Sequence, residues 1–424
     1  MKNRIRTSIY LLILTSLSLS SLISCDEEDP VPPELSTSVV IDITYKTAVS
    51  GGTIASDGGT SIIGRGVCWS TSPNPAISDS KTSDGSGTGT FASNITGLTP
   101  GTTYHLRAYA TNSVGTAYGN EVVFATIPTV VPELTTSSVT TIKYTTATSG
   151  GVISSDGGEV VTARGVCWSV SANPTISDSK TSDGSGTGTF VSNLTGVTQG
   201  TTYHLRAYAT NSVGTAYGNE VVFKTIPTSI IDIDGNDYQT VIIGNQVWLK
   251  ENLKTTKYRN GDLISNVPTE SDWAGLSMGA YSFYSNNSSN NTIYGSLYNW
   301  LAVNDSRKIA PTGWHIPSEA EWTILQNFLG GELSAGGKLK ETGLAHWQSP
   351  NEGATNETGF TALPGGYRDT TGSFSNLGYK GVWWSASEKS SNTAYALFTY
   401  AEGTQLHGEP NEKRIGFSIR CIMD

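Results

Sequence analysis

The sequence predicts a mainly β, multidomain protein in which two tandem β-sandwiches precede an α+β domain. Three observations carry this prediction. A long segment occurs twice, short alternating apolar runs separated by Gly, Asn and Ser fill both copies, and eight of the ten Trp lie beyond residue 231. Gly is abundant, with 47 residues, and charged residues make up only 15%, which favours strands and turns over helical bundles.

The repeated segment contains the hexapeptide "RGVCWS", found at Arg65–Ser70 and again at Arg164–Ser169. The copies lie 99 residues apart, and the same offset aligns "TTYHLRAYATNSVGTAYGNEVVF" with its counterpart. This period is too long for a solenoid repeat and matches a whole β-sandwich domain. Because the loops match as well as the strands, we expect both copies, at 35–128 and 129–227, to act as spacers.

Alternation along the strands predicts the core of each copy. In the first copy one face is apolar and carries Tyr104, Leu106, Ala108 and Ala110. The strand "IIGRGVCWS" leaves two alternatives. In one, Cys68 faces the core as an inert thiol and Trp69 lies outward, against Arg107. In the other, Trp69 belongs to the core and Arg65 snorkels along its surface.

The stretch "LTPGTTYHLRAYATNSVGTA" resembles the end of a fibronectin type III domain, where a Tyr after a Pro-Gly turn opens a strand. Tyr104 and Tyr203 occupy that position, although Gln199 replaces Pro100 in the second copy. The resemblance implies two tandem fibronectin type III-like β-sandwiches. Neither copy contains a catalytic constellation.

The N-terminus "MKNRIRTSIYLLILTSLSLSSLISC" has a basic start and an apolar run, which predicts a secretory signal peptide at 1–24. A permanent membrane helix would need a longer and less polar run. The ending "LISC" resembles the bacterial lipobox and implies acylation of Cys25, hence a membrane anchor. Residues 25–34 read as an acidic, proline-rich tether that is similar to the surface-export signal of Bacteroidota lipoproteins. We therefore expect an outer-membrane lipoprotein facing the extracellular side, with a periplasm-facing anchor as the alternative.

Net charge bears on the possible ligands, and cysteine usage bears on how the domains are stabilised. The net charge is -10 and no basic stripe is present, which argues against nucleic acid as a ligand. With Cys25 acylated, each remaining Cys is alone in its own segment: Cys68, Cys167 and Cys421. No intradomain disulfide is expected, so stability must come from apolar cores.

Two local patterns in the C-terminal domain predict its elements. Asp232, Asp234 and Asn236 have the spacing of a calcium loop. However, the Gly that an EF-hand needs is misplaced and Ile243 stands where its Glu should be, so a hairpin turn is expected. In "GWHIPSEAEWTILQNFLGG", Ser318 and Glu321 form a capping box at the start of a helix. Its apolar stripe is Trp322, Leu325, Phe328 and Leu329, and Gly330 ends it.

The motifs "DIDGNDYQTVIIGNQVWLKENLK", "YGSLYNW", "GWHIPSEAEW", "GFTALPGGYRD", "WWSASE" and "GFSIRC" occur in the order found in the Fibrobacter succinogenes major paralogous domain. The resemblance covers about residues 231–424 of a C-terminal domain placed at 228–424, and it implies a C-type-lectin-like α+β fold. "PSEAEW" and "GFSIRC" are also similar to formylglycine-generating enzymes, which work through a pair of cysteines. Cys421 stands alone here, so we expect no enzyme activity and no cofactor.

Ligand-binding candidates come from the aromatic and amide content of this domain. They are Trp383, Trp384, Tyr281, Tyr284, Glu409 and Asn411. Adjacent Trp side chains on a strand face opposite sides, so one ring is expected outside the core, where it would suit a sugar face. Glu409-Pro410-Asn411 is the lectin calcium tripeptide, but two cations follow it, so calcium is not expected and Pro410 is assigned to a turn.

These observations predict a surface lipoprotein that displays a lectin-like domain to an extracellular ligand, with a glycan favoured and a surface protein as the other partner. The alternative is a structural or protein-interaction component of the cell envelope without a small-ligand site.

Overall fold

The computed structural model describes residues 29–424, so the expected signal peptide and Cys25 lie outside the described residues. The chain forms two compact units. One holds the described residues up to Val131 with Asp156–Val160 and Asn211–Gly214, and the other holds Pro132–Ser155, Val161–Thr210 and Thr215–Asp424. No helix within 29–424 combines the length and the apolar character needed to span a membrane.

The first repeat is a sandwich of two antiparallel sheets. Its strands are β1 (Glu34–Thr37), β2 (Ala48–Ser56), β3 (Gly64–Ser70), β4 (Ser80–Lys81), β5 (Gly89–Ile95), β6 (Thr103–Thr111), β7 (Thr116–Tyr118) and β8 (Val122–Ala125). One sheet has the order β1-β2-β5 and the other β4-β3-β6-β7, with β8 also paired to β6. This is the strand arrangement of a fibronectin type III-like sandwich, as expected.

The second repeat has the same order of strands. They are β9 (Glu133–Thr136), β10 (Thr146–Ser155), β11 (Ala163–Ser169), β12 (Ser179–Lys180), β13 (Gly188–Thr195), β14 (Thr202–Thr210), β15 (Thr215–Tyr217) and β16 (Val221–Lys224). The sheets are β13-β10-β9 and β12-β11-β14-β15, with β16 on β14. In both repeats the Tyr opening the sixth strand accepts a backbone hydrogen bond: Thr99 N donates to Tyr104 Oη at 3.0 Å, and Thr198 N to Tyr203 Oη at 2.9 Å.

The predicted core face of β6 is confirmed, because Tyr104, Leu106, Ala108 and Ala110 are all buried. Strand register then decides the orientation of "RGVCWS". Trp69 lies opposite Leu106 and Val67 opposite Ala108, and directly opposed residues share a face of the sheet. Trp69 therefore packs on the core. The expectation of an outward Trp69 is wrong.

Arg65 follows the second alternative, with its guanidinium 5.2 Å from the centre of the Phe91 ring. Arg107 stacks on Tyr118 rather than on Trp69. Cys68 lies opposite Arg107, on the face away from the core, yet it is fully buried. Its thiol is covered by the Pro75 turn, whose carbonyl oxygen lies 3.4 Å from Sγ.

The C-terminal domain mixes short sheets with short helices, as the sequence predicts. Its strands are β17 (Ser229–Ile231), β18 (Asp237–Ile243), β19 (Gln246–Leu249), β20 (Ser265–Asn266), β21 (Ala280–Ser282), β22 (Leu297–Tyr298), β23 (Trp314–His315), β24 (Gly365–Arg368), β25 (Phe374–Leu377), β26 (Lys380–Glu388), β27 (Thr393–Tyr400), β28 (His407–Glu412) and β29 (Ile422–Met423). Its helices are α1 (Glu270–Ala274), α2 (Ser288–Tyr294), α3 (Trp300–Val303), α4 (Glu319–Phe328) and α5 (Glu332–Leu339), and Tyr284–Asn286 forms a 3-10 turn. The sheets are β17-β18-β19-β29-β23, β20-β21-β22, β24-β25 and β26-β27-β28.

Helix α4 begins as predicted. Ser318 Oγ accepts from the Glu321 backbone, and the Glu321 carboxylate accepts from the Ser318 backbone, which completes the capping box. Trp322, Leu325 and Leu329 are buried. Phe328 departs from the prediction and is 62% exposed. Its ring lies over the β18–β19 turn at Gly244, where a Cβ would approach it to 2.9 Å.

Three buried cations hold loops of this domain together, and none of them forms an ion pair with a carboxylate of residues 29–424. Lys340 Nζ donates to the carbonyl oxygens of Glu352, Tyr400 and Gly403 at 2.8–2.9 Å. Burial lowers the pKa of Lys340 to about 8. Arg368 donates to four carbonyls, and Arg420 donates to three carbonyls and the Asn252 side chain. Apolar cores are therefore not the sole source of stability, because these cations satisfy loop carbonyls that would otherwise be buried unpaired.

Candidate functional site

The two tryptophans nominated for ligand binding lie in the interior. Trp383 and Trp384 do face opposite sides of β26, but each enters a different apolar core and both are fully buried. Their indole nitrogens are also used, with Trp383 Nε1 donating to Asn252 Oδ1 and Trp384 Nε1 to the Tyr298 carbonyl, both at 2.8 Å. The expectation of an outward ring is wrong, because β26 separates two cores rather than a core and solvent.

The tyrosine candidates are also packed against the fold. Tyr281 is buried beside Phe283 and Tyr298. Tyr284 is half-buried, with its ring 5.2 Å from that of Phe374. The Asn-rich stretch near them forms the short helix α2, capped by the Asn287 side chain. These rings therefore offer no open stacking platform.

Glu409, Pro410 and Asn411 lie inside strand β28, with Pro410 paired to Tyr395 of β27. The assignment of Pro410 to a turn is wrong. A proline fits here because β28 is an edge strand, where a missing N–H leaves no ladder bond unmade. Glu409 is exposed, and Asn411 Nδ2 donates to the Glu409 carbonyl at 3.1 Å. Within the described residues no three His, Cys, Asp or Glu side chains are grouped to hold a metal ion.

The calcium-like spacing at the start of the domain is a hairpin turn, as predicted. Asp232 Oδ1 accepts from the backbones of Asp234 and Asn236, and Oδ2 accepts from the Tyr238 hydroxyl at 2.7 Å. Asp234 accepts from Thr256 and pairs with Lys257. These carboxylates are occupied by the turn itself.

The C-terminal domain contains a cavity of about 530 Å³, called the main cavity below. It lies between the end of α3, strand β23 and the start of α4. Its lining residues are Arg259, Val303, Asn304, Lys308, Ile309, Ala310, Trp314, His315, Ile316, Ser318, Glu321, Ala386 and Asp424. The floor is aliphatic, and the rim carries charged and polar groups.

His315 is the central polar group of that rim. Its Nε2 lies 2.8 Å from Glu321 Oε1, and its Nδ1 lies 2.8 Å from Asp424 Oδ1. Burial opposes the charged ring, but the hydrogen bonds to Asp424 and Glu321 outweigh it, so the pKa of His315 is raised. Both ring nitrogens are engaged by carboxylates, and His315 thus ties strand β23 to α4 and to Asp424.

The pairing of His315 with Asp424 could not be predicted from the sequence, because 109 residues separate them. The partner closer in sequence, Glu321, could have been found, because it follows His315 by six residues. Its other carboxylate oxygen accepts the capping-box hydrogen bond. The remaining histidines do not join this site. His346 pairs with Glu341, and His407 with Glu332.

Arg259 forms one wall of the main cavity. Its Nε donates to the Ala310 carbonyl, and its Nη2 donates to the carbonyls of Pro311 and Trp314, at 2.8–3.0 Å. Its Nη1 makes no hydrogen bond to any described residue, and no carboxylate in 29–424 forms an ion pair with it. Lys308, exposed on the same rim, likewise has no acidic partner in the described chain.

Comparison with known proteins gives a matching family model and similar solved structures. The chain is similar to a crystal structure of chicken CNTN1 FN1-FN3 domains, at 15% identity over 47% of this chain and 69% of that chain, with a TM-score of 0.20. Curated proteins give no match. The family model described as Fibrobacter succinogenes major domain matches residues 241–423. The part of the chain downstream of its two fibronectin type III-like sandwiches is therefore similar to that family.

Proposed function

We propose that this protein is a lipid-anchored outer-membrane protein, exposed on the cell surface, whose C-terminal domain binds an extracellular ligand in the main cavity. One observation carries the proposal. The cavity of about 530 Å³ has an aliphatic floor and a charged rim, and binding sites for small ligands or single side chains have this size and character.

The two sandwiches suit a display role. They share strand order, register and even their surface ion pairs, with His105 bound to Glu121 in the first repeat and His204 to Glu220 in the second, both at 2.8 Å. Two copies of one module without distinct surfaces suit a spacer between the expected anchor and the binding domain. The lipobox-like "LISC" and the acidic tether supply the expected anchor in sequence.

A glycan was the ligand favoured by the aromatic content of the sequence. Trp383, Trp384 and Tyr281, which prompted that idea, are buried. The binding proposal therefore rests on the main cavity and no longer on aromatic platforms.

The proposal is tested with the soluble chain beyond Cys25 and a variant that fills the cavity, Ala386→Trp. Ala386 is exposed at the cavity rim, so the change should leave the cores intact. Leu344→Trp, at an exposed position that is not in the lining, is the control. We expect binding to whole-cell surface extract, glycan panels or peptide panels to be lost in Ala386→Trp and kept in the control. Equal binding by both variants would rule out the cavity as the site.

Surface exposure is tested separately, by protease treatment of intact cells. Rapid loss of the C-terminal domain supports extracellular display, and full protection would instead support a periplasm-facing anchor.

A second candidate is a structural component of the envelope, and packing at the second repeat favours it. Tyr144 Oη donates to the Thr240 carbonyl at 3.1 Å, and Ile142 packs against the core of the C-terminal domain. The second repeat is thus built onto that domain rather than joined by a free linker. Cross-linking on intact cells discriminates: a stable protein neighbour that survives Ala386→Trp favours the structural role.

A further inference from the structure

A second cavity of about 300 Å³, called the side cavity, adjoins the main cavity. Both linings include Arg259, Ile309 and Ala310, so these residues lie where the two cavities meet. The two cavities together are called the groove below, and Arg259 lies near its middle. Two adjoining cavities fit an extended chain better than a compact small molecule.

The walls of this groove are aliphatic rather than aromatic. Ile231 and Ile233 stand on the outer side of the side cavity, 68% and 47% exposed. Ile309 and Ile316 form part of the floor of the main cavity. The one aromatic residue in either lining, Trp314, is 3% exposed. Sugar sites rely on open aromatic faces and on amide groups, whereas branched aliphatic walls match apolar side chains.

Along the groove the acidic side chains have partners, whereas two cations have no acidic partner in the described chain. The three acids of the groove are all engaged: Asp232 by the hairpin turn, and Glu321 and Asp424 by His315. The cations Arg259 and Lys308 have no carboxylate partner in the described chain, and Arg259 Nη1 has an unused donor. An incoming carboxylate would meet these donors at the centre of the groove, and guanidinium–carboxylate bonds are among the stronger polar contacts in proteins.

We infer that the groove binds an extended peptide segment of a protein partner, with apolar side chains in both cavities and an acidic side chain between them at Arg259 and Lys308. This inference rests on the proposed function and assigns its ligand class. A peptide supplies spaced apolar groups and a carboxylate together, as in other sites that read an extended chain through pockets. A neutral glycan supplies neither.

The test uses an array of synthetic peptides in which Leu, Ile or Phe flank a central Asp or Glu. Matched peptides carry Lys or Gln at the centre, and a glycan array is probed in parallel. We expect the soluble chain beyond Cys25 to bind acid-centred peptides roughly tenfold more tightly than the Gln-centred ones, the size of one charge-assisted hydrogen bond. The Lys-centred peptides should bind more weakly still.

Three variants probe the groove from different sides. Lys308→Glu should remove the preference for acidic peptides, Ile231→Ser should weaken every peptide, and Ala386→Trp should block the main cavity. Leu344→Ser, at a position 60% exposed and outside both linings, is the control. All four positions are exposed, and thermal unfolding checks that each variant folds.

The outcomes separate the two proposals. Acid-selective peptide binding lost in the groove variants supports the inference. Glycan binding blocked by Ala386→Trp, with no peptide bound, overturns the peptide inference but keeps the main cavity as the binding site. Peptide binding that ignores the central charge also overturns the inference. If no ligand of either class responds to any groove variant, both proposals fail.

Discussion

Trp383 and Trp384 are neighbours in sequence, yet their rings belong to two separate hydrophobic cores. Trp384 packs with Phe417, at 4.6 Å between ring centres, while Trp383 joins Trp322 and Phe360. Strand β26 therefore acts as the wall between the cores. We expect Trp383→Ala and Trp384→Ala each to lower the free energy of unfolding by about 3–5 kcal/mol, the usual cost of removing a buried Trp.

Urea unfolding of the soluble chain measures this effect. Trp69→Ala, at a half-buried position of the first repeat, should cost less. If either C-terminal variant were as stable as the parent protein but lost ligand binding, its ring would be a contact residue and the burial described here would be wrong.

Lys340 is expected to stabilise the domain through the three carbonyls that it binds. Replacing it with Met keeps the apolar stem but leaves those carbonyls without a donor, so we expect a loss of about 3 kcal/mol or more. Lys338→Met, in the last turn of helix α5 and two residues before Lys340, is the matched control. Lys338 makes an exposed ion pair with Glu357, and its removal should cost less than about 1 kcal/mol. Equal losses in chemical denaturation would contradict the assigned role of Lys340.

His315 makes the stability of the C-terminal domain pH-dependent. Its pKa is raised in the folded state by Asp424 and Glu321, so its contribution is complete below the unfolded value of 6.5 and is lost as pH rises through the higher folded value. We therefore expect His315→Gln to destabilise the protein more at about pH 5.5 than at about pH 8.5. Parallel thermal melts at the two pH values provide the measurement, and a difference of opposite sign would refute the double ion pair.

The thiols of Cys68, Cys167 and Cys421 are free and buried, so they should resist modification. Burial raises the pKa of Cys68 and Cys167 to about 11 and that of Cys421 to about 12. Because only the thiolate reacts, a thiol reagent at about pH 8 should label none of them in the native soluble chain and all three in denaturant. Rapid native labelling of Cys68 would show that the Pro75 turn does not cover it.

Pro410 protects the free edge of β28. Its replacement by Val restores a backbone donor and adds β-propensity at an exposed edge, which favours pairing with a second copy. We expect Pro410→Val to self-associate in light scattering at concentrations where the parent protein stays monodisperse. Glu409→Gln, which keeps the proline, should behave like the parent protein, and aggregation of both variants would assign the protection to charge instead.

Sequence patterns predicted the elements that depend on local rules. The capping box of Ser318 and Glu321, the turn at Asp232 and the core face of β6 follow from neighbouring residues alone. The orientation of Trp69 did not, because it depends on the register between β3 and β6, which alternation within one strand leaves undetermined. The expected outward ring of Trp383 or Trp384 and the turn assigned to Pro410 were wrong for a similar reason: burial on both faces of β26 and the edge position of β28 are properties of the assembled sheet.

The site itself was largely invisible in the sequence. His315, Arg259 and Asp424 come from distant segments and share no common motif, so only the fold brings them to one cavity. The aromatic and amide residues that looked like a sugar site belong to the cores and to capped turns instead.

The central claim is that ligand binds in the groove around Arg259. Hydrogen–deuterium exchange of the soluble chain, with and without the tightest-binding peptide of the array, tests it most directly. We predict slower exchange in 303–310 and 314–318, around the main cavity, and in 230–233, beside the side cavity. Protection confined to 407–412 or to the two sandwiches, with no change around the groove, would contradict it.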